Sequence, residues 1–441
     1  MTDSNMDKNS EQEMLTSVQN RPFWQRIRVY MKFSGPGFLQ SAMTLGGGTA
    51  GACLIAGSKY MYDLLWVQPL AMFIGTIILA AVAKQTVNTS ERPYRVFWEQ
   101  LHPTWALVWG ISALLACIIW HIPQYTLATT SLADMSTALG IGTISRWVFA
   151  FPILILSIYL LWQYDRGAKG LKIYEIVIKI LVWGIVIIFG IVTFASKPDW
   201  AAIWRGFAFH NFSKLFEPGE SHRVLVVIGM LGATVGINMV FLYPYSLLKK
   251  KWSQKYEGVA FFDLITGMTI PFILATTFVI IGTANTIGRE GIQATSLMSI
   301  TNVLSESLGL KISALILGLG LLAIAFSTIT THMLASGFIA CEMLNLPTKG
   351  WSYRLLALLP AIGIIGAGYS RPFWAAVVTS GLAVIFMPIT LVCFLILQNS
   401  YKYMKEAMPT GSKRWAWNIA LITAIVIIAI ASTISFVTWV F

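Results

Sequence analysis

Eleven stretches of this 441-residue chain are long and apolar enough to cross a lipid bilayer, and this feature removes nearly every other fold from consideration. A hydrocarbon core about 30 Å thick takes about 20 helical residues per crossing. Runs of that size lie near 34–57, 62–84, 104–128, 147–163 and 173–196, and then near 224–248, 259–284, 311–340, 352–369, 372–397 and 415–441. No water inside lipid can satisfy a backbone N–H or C=O, so each run closes its own hydrogen bonds as a helix, even where it is rich in Val and Ile. The expected fold class is an all-α polytopic membrane protein with about 11 transmembrane helices.

Composition supports this reading. Hydrophobic residues make up 56% of the chain and charged residues 11%, against roughly 25% charged in a soluble domain. The first twenty residues are polar and have neither the basic start nor the apolar stretch of a signal peptide, so residues 1–20 are read as a disordered cytoplasmic tail. Residues 21–441 are read as a single transmembrane domain. The net charge of +12 does not point to nucleic acid, because the basic residues sit in short clusters between apolar runs. With the N-terminus inside, the inner connections hold twenty Lys and Arg and the outer ones nine. That bias points to a cytoplasmic N-terminus, and the expected location is a bacterial inner (plasma) membrane. Cys53, Cys117, Cys341 and Cys393 all lie in apolar stretches without close-spaced pairs, which argues against disulfides and zinc. No nucleophile–base pair or phosphate loop is present, so neither enzyme activity nor a cofactor is expected.

Two spans are interrupted. The first contains Leu45-Gly46-Gly47-Gly48-Thr49-Ala50-Gly51, four glycines that each cost about 1 kcal/mol relative to alanine in a helix. The sixth contains Gly232-Ala233-Thr234-Val235-Gly236-Ile237-Asn238, a weaker break. Breaks in spans one and six are what inverted repeats of five helices produce, with a binding site between them. Repeat one then covers about 34–196, repeat two about 224–397, and a further helix about 415–441.

Gly35-Pro-Gly-Phe-Leu39, Asp63-Leu-Leu-Trp66, Gly232-Ala-Thr234, and Phe326-Ser-Thr-Ile-Thr330 with Glu342 occur in span order, and in these residues the chain resembles the NRAMP metal-transporter family. The resemblance implies a LeuT-type fold and alternating access around the two broken helices. It also implies a metal site made by an Asp-Pro-Gly-Asn motif in the first helix and a Met-Pro-His motif in the sixth. In their place this chain has Gly46-Gly47-Gly48-Thr49 and Gly236-Ile237-Asn238. The family's carboxylate, thioether and histidine are missing from these motifs, so none of its metal ligands is present. The acidic residues of the family's third helix give way to Cys117-Ile118-Ile119-Trp120-His121-Ile122-Pro123-Gln124.

The expected substrate-binding residues are Thr44, Gly46, Gly47, Gly48, Thr49, Thr234, Gly236, Asn238, Trp120 and Phe241. Ser327, Thr328, Thr331 and His121 are candidates for a coupling Na⁺ or H⁺, and Thr330 and His332 extend that polar cluster. Free backbone N–H groups at the start of a glycine-rich half-helix favour an anionic group. The leading expectation is therefore a secondary transporter for a small polar or zwitterionic, amino-acid-like solute. The alternative is transport of Mg²⁺ or Mn²⁺ as a hydrated ion, held by hard oxygen ligands such as Thr49 and Asn238. A third reading is a non-transporting membrane sensor. Glu175 and Lys179, four apart on the fifth helix, are expected to pair.

Overall fold

The computed structural model describes residues 13–15, 17, 21–292, 297–369, 379–380 and 384–440. Most of the expected tail and the first part of the expected tenth span fall outside the described residues. Within them the chain is helical and has no strand.

The first span is two half-helices, α1a (Pro36–Thr44) and α1b (Gly47–Tyr60). It is followed by α2 (Val67–Thr89), α3 (Pro103–Ala138), α4 (Arg146–Asp165) and α5 (Ala168–Ala195). The sixth span is again split, into α6a (Ser221–Thr234) and α6b (Ile237–Lys249). Beyond it lie α7 (Gln254–Gly288), α8 (Leu310–Met343), α9 (Gly350–Gly368), α10 (Met387–Gln398) and α11 (Gly411–Val440). An amphipathic helix, Phe23–Phe33, precedes the bundle.

Burial separates centre from periphery. In its most apolar window α6 is 83% buried, against 33% for α9 and α11, so the broken helix is enclosed and the last span lies at the edge. Every residue of α1a is buried. The outer helices turn apolar stripes outward, such as Phe151, Ile155 and Tyr159 on α4 and Ile180, Ile187 and Ile191 on α5. Rows of exposed large apolar side chains over several turns suit acyl chains and not water. The inverted-repeat LeuT-type arrangement thus puts both broken helices in the core, with α3 and α8 packed alongside.

Both breaks are short. α1a ends where the Leu45 N–H closes on the Ser41 carbonyl, at 2.8 Å, and Gly46 is extended (φ −88°, ψ 177°). Gly47, Gly48 and Gly51 are already helical, so the glycine run opens the helix at one point instead of unwinding throughout. In the sixth span the extended residues are Val235 and Gly236.

Candidate functional site

The site begins at the buried start of α1a. Proline at the first helical position needs no N–H partner. The remaining free N–H groups meet Asp263 of α7: its Oδ1 accepts from Gly35 N–H at 2.9 Å and from the Ser34 hydroxyl, and its Oδ2 accepts from Gly37 N–H at 2.6 Å. A carboxylate here also faces the positive end of the helix dipole. Gly37 permits the approach, since a Cβ there would sit 2.1 Å from the Asp263 carbonyl oxygen. Around the same turn Lys250 donates to the Phe33 carbonyl and pairs with Glu175, both at 3.0 Å, and Lys179 donates to the Ser34 carbonyl at 2.5 Å. The expected Glu175–Lys179 pair is therefore replaced. Lys250 reaches Glu175 from the end of α6b, and Lys179 turns to the chain entering α1a, so four charged groups from three spans hold that entry.

At the first break the Gly47 N–H donates to Gln124 Oε1 of α3, at 2.8 Å. The Thr49 hydroxyl lies 2.5 Å from the Thr44 carbonyl and 3.3 Å from the Ala233 carbonyl, tying the end of α1a to the end of α6a. At the second break Asn238 Oδ1 accepts from the Met239 N–H at 3.0 Å, and its amide nitrogen lies 3.5 Å from Cys117 Sγ. Gly236 packs against Trp120, where a Cβ would come within 2.4 Å of the indole.

Between the breaks is a small cavity with room for about one water molecule. Gly46, Gly48, Thr49, Trp120 and Thr328 line it, together with Met43, Gln124, Ala233, His332 and Ser380. No cluster of three or more His, Cys, Asp or Glu occurs among the described residues.

Residues 37–437 match the family model described as natural resistance-associated macrophage protein-like (Nramp). The chain belongs to the Nramp family. It is 24% identical over 403 residues to a divalent metal cation transporter, MntH, of Caldanaerobacter subterraneus, covering 88% of this chain and 89% of that one. It is 23% identical to MntH of Bacillus subtilis, with 92% of each chain covered. Among solved structures, a manganese transporter of Eremococcus coleocola superposes with a TM-score of 0.76 at 17% identity, covering 94% of this chain and 87% of that one. MhsT in complex with L-phenylalanine superposes at 0.55 and 13% identity, covering 91% of this chain and 97% of that one. At such identities these likenesses bear on the fold alone, which is that of an integral membrane transporter.

Within this Nramp frame the other sequence-derived candidates lie off the cavity lining. Gly47 sits beside it, bonded to Gln124. The Thr44 hydroxyl bonds back to the Ser41 carbonyl, and that of Thr234 to the Met230 carbonyl and Gln68. Ser327 and Thr331 bond back within α8, as hydroxyls in membrane helices commonly do. Thr328 instead reaches across, 2.8 Å from the Ala42 carbonyl of α1a. Phe241 belongs to an aromatic stack, 4.6 Å from Trp109 and 5.0 Å from Tyr245 between ring centres. His121 packs behind the cavity, against Gly363 of α9.

Sequence reasoning did not place Gln124, Met43, Ala233, Ser380 or His332 in the lining. For Gln124 a signal existed: it is the one amide side chain in an otherwise apolar or aromatic turn of α3, and such a group in a span needs a partner.

Proposed function

We propose that this Nramp-family chain is a secondary transporter that carries a divalent cation, Mg²⁺ or Mn²⁺, as a partly hydrated ion by alternating access. One observation supports the cation over an anionic or zwitterionic solute: the first N–H of α1b, one of those expected to receive a carboxylate, is engaged within the protein. Gln124 occupies the Gly47 N–H and Asn238 the Met239 N–H. The ends that meet at Thr49 are instead the carbonyl-bearing C-termini of α1a and α6a, which carry partial negative charge. Oxygen ligands of this kind, with retained water, suit a hard divalent ion. The names of the curated relatives favour the same reading.

Transport runs between states in which the entry of α1a is held by Asp263, Lys250 and Lys179 and states in which it is released. The N-terminus lies in the cytoplasm of a bacterial cell, as the basic connections suggest. Thr328, bridging α8 and α1a, is the best placed of the coupling-ion candidates for Na⁺.

The deciding experiment is uptake into proteoliposomes of Mn²⁺ and Mg²⁺ alongside a panel of amino acids and betaines, with Na⁺ and pH gradients varied. Saturable uptake of either ion, reduced by Thr49→Val, is expected. Uptake of an organic solute with neither ion moving would refute the proposal.

A further inference from the structure

Two histidines stand side by side next to the cavity. His332 lies one turn beyond Thr328 on α8 and lines the cavity, and His121 of α3 is fully buried behind it. Their ring centres are 6.0 Å apart, with Trp120 stacked on His332 at 5.9 Å and Tyr125 at 5.4 Å from His121. None of the four imidazole nitrogens has a hydrogen-bond partner, nor do the Trp120 indole nitrogen and the Tyr125 hydroxyl.

Packing alone explains this poorly. A neutral imidazole carries one donor and one acceptor. Each buried polar group left unpaired costs about 1–3 kcal/mol, and apolar side chains of similar volume would fill the same space without that cost. Four open nitrogens beside a cavity therefore point to a ligand that takes them.

Two imidazoles that share one ion, at metal–nitrogen distances of about 2.0–2.1 Å, place their ring centres roughly 5–6 Å apart. The observed 6.0 Å lies at the wide end of this range, so the two rings have to close slightly on a tetrahedral ion. Imidazole suits Zn²⁺, Fe²⁺, Co²⁺ and Ni²⁺, whereas carbonyl and water alone suit Mg²⁺. The loss of the histidine from the sixth-span motif excludes soft and borderline metals only if no imidazole arrives from elsewhere, and here two arrive from α3 and α8.

We propose that His121 and His332 form a two-imidazole subsite, opening on the cavity at the helix breaks, that binds a borderline divalent transition-metal ion and makes the chain prefer it to Mg²⁺. This rests on the reading of the chain as a divalent-cation transporter and specifies its substrate class.

The test is isothermal titration of the full-length protein in detergent with CoCl₂ and with MgCl₂, for the wild type, His121→Gln and His332→Gln. Wild type is expected to bind Co²⁺ at least about 10-fold more tightly than Mg²⁺, and in each variant Co²⁺ affinity and the ratio of Co²⁺ to Mg²⁺ affinity are expected to fall by about 10-fold or more. The visible absorption of bound Co²⁺ gives a readout that needs no variant, since nitrogen ligands shift and intensify its bands relative to the hydrated ion. Co²⁺ affinity unchanged in both variants, or a wild-type spectrum matching hydrated Co²⁺, overturns the subsite while leaving divalent-cation binding standing. Failure of the wild type to bind either ion overturns both.

Discussion

Replacing Asp263 with alanine tests whether the held entry of α1a governs the conformational equilibrium. The substitution removes three hydrogen bonds to one carboxylate, from Ser34, Gly35 and Gly37, and leaves two buried N–H groups unpaired. It also leaves Lys179 and Lys250 facing a single acid, Glu175. Removing one partner from a buried charged arrangement costs about 3–5 kcal/mol. At 1.4 kcal/mol per factor of ten, even the lower figure moves the docked–released equilibrium by about 100-fold. The reporter is Ser41→Cys on α1a, since Ser41 is fully buried, its hydroxyl has no partner, and a thiol fits in its place. The four native cysteines are buried, which keeps the background low. In membrane vesicles the maleimide labelling rate at position 41 is expected to rise at least about 10-fold when Asp263→Ala is added, and less with Asp263→Asn, which keeps an acceptor. A rate within about twofold of the single variant, in protein that still elutes as a folded species, would refute the claim that Asp263 holds α1a.

Three further outcomes follow from the geometry. Gly236→Ala drives a methyl into Trp120 and is expected to cost about 1–3 kcal/mol and abolish uptake, with partial rescue by Trp120→Leu; an unaltered melting temperature and uptake would contradict the contact. Gln124→Glu keeps the acceptor for Gly47 N–H and adds a carboxylate at the cavity, so divalent-cation affinity should rise at least about 10-fold by titration calorimetry, whereas weaker binding would favour an anionic substrate. Arg223→Ala removes the partner that Asp63 meets at 3.0 Å and Glu220 at 2.9 Å, together with the guanidinium over the Tyr60 ring, and should lower stability by about 1.5–3 kcal/mol, read as a fall in the detergent melting temperature. No change in that temperature would show the network to be dispensable.

The parts of the fold legible in the sequence are those that lipid dictates residue by residue. Span number and helix type follow from uninterrupted apolar runs, and the first break from glycines that weaken one helix locally. The sixth-span break was legible mainly through its matching position in the second half. What sequence could not supply is pairing across distance. Glu175 has a correctly spaced partner in Lys179, but the lysine that reaches it is Lys250, 75 residues on. Gln124 lies 77 residues from the glycine it caps, and Asp263 lies 226 from Gly37. The expectation of an open, anion-seeking helix start rested on local geometry and gave way to such a distant partner. Counting ligands at the family's two motifs likewise leaves out His332, which lines the cavity from α8.

Under the proposed cation-transport function, these placements bear on how a divalent ion would be held without an acid. Asp263 and Glu175 are committed to the entry of α1a, Asp63 to Arg223 and Lys214, and Glu342 to Arg92, so none of these carboxylates is free for the cavity. The remaining negative potential comes from the C-termini of α1a and α6a, each equivalent to about half an elementary charge. Two such ends offset about half the charge of a divalent ion, so a bound ion would keep part of its water and leave readily. Neutral imidazoles add discrimination without adding charge, because they lower the energy of a borderline metal far more than that of Mg²⁺. With the proposed two-imidazole subsite, selectivity and net attraction would be carried by different groups. His121→Gln and His332→Gln should alter which ion is preferred, while Gln124→Glu should tighten every divalent ion and slow its release.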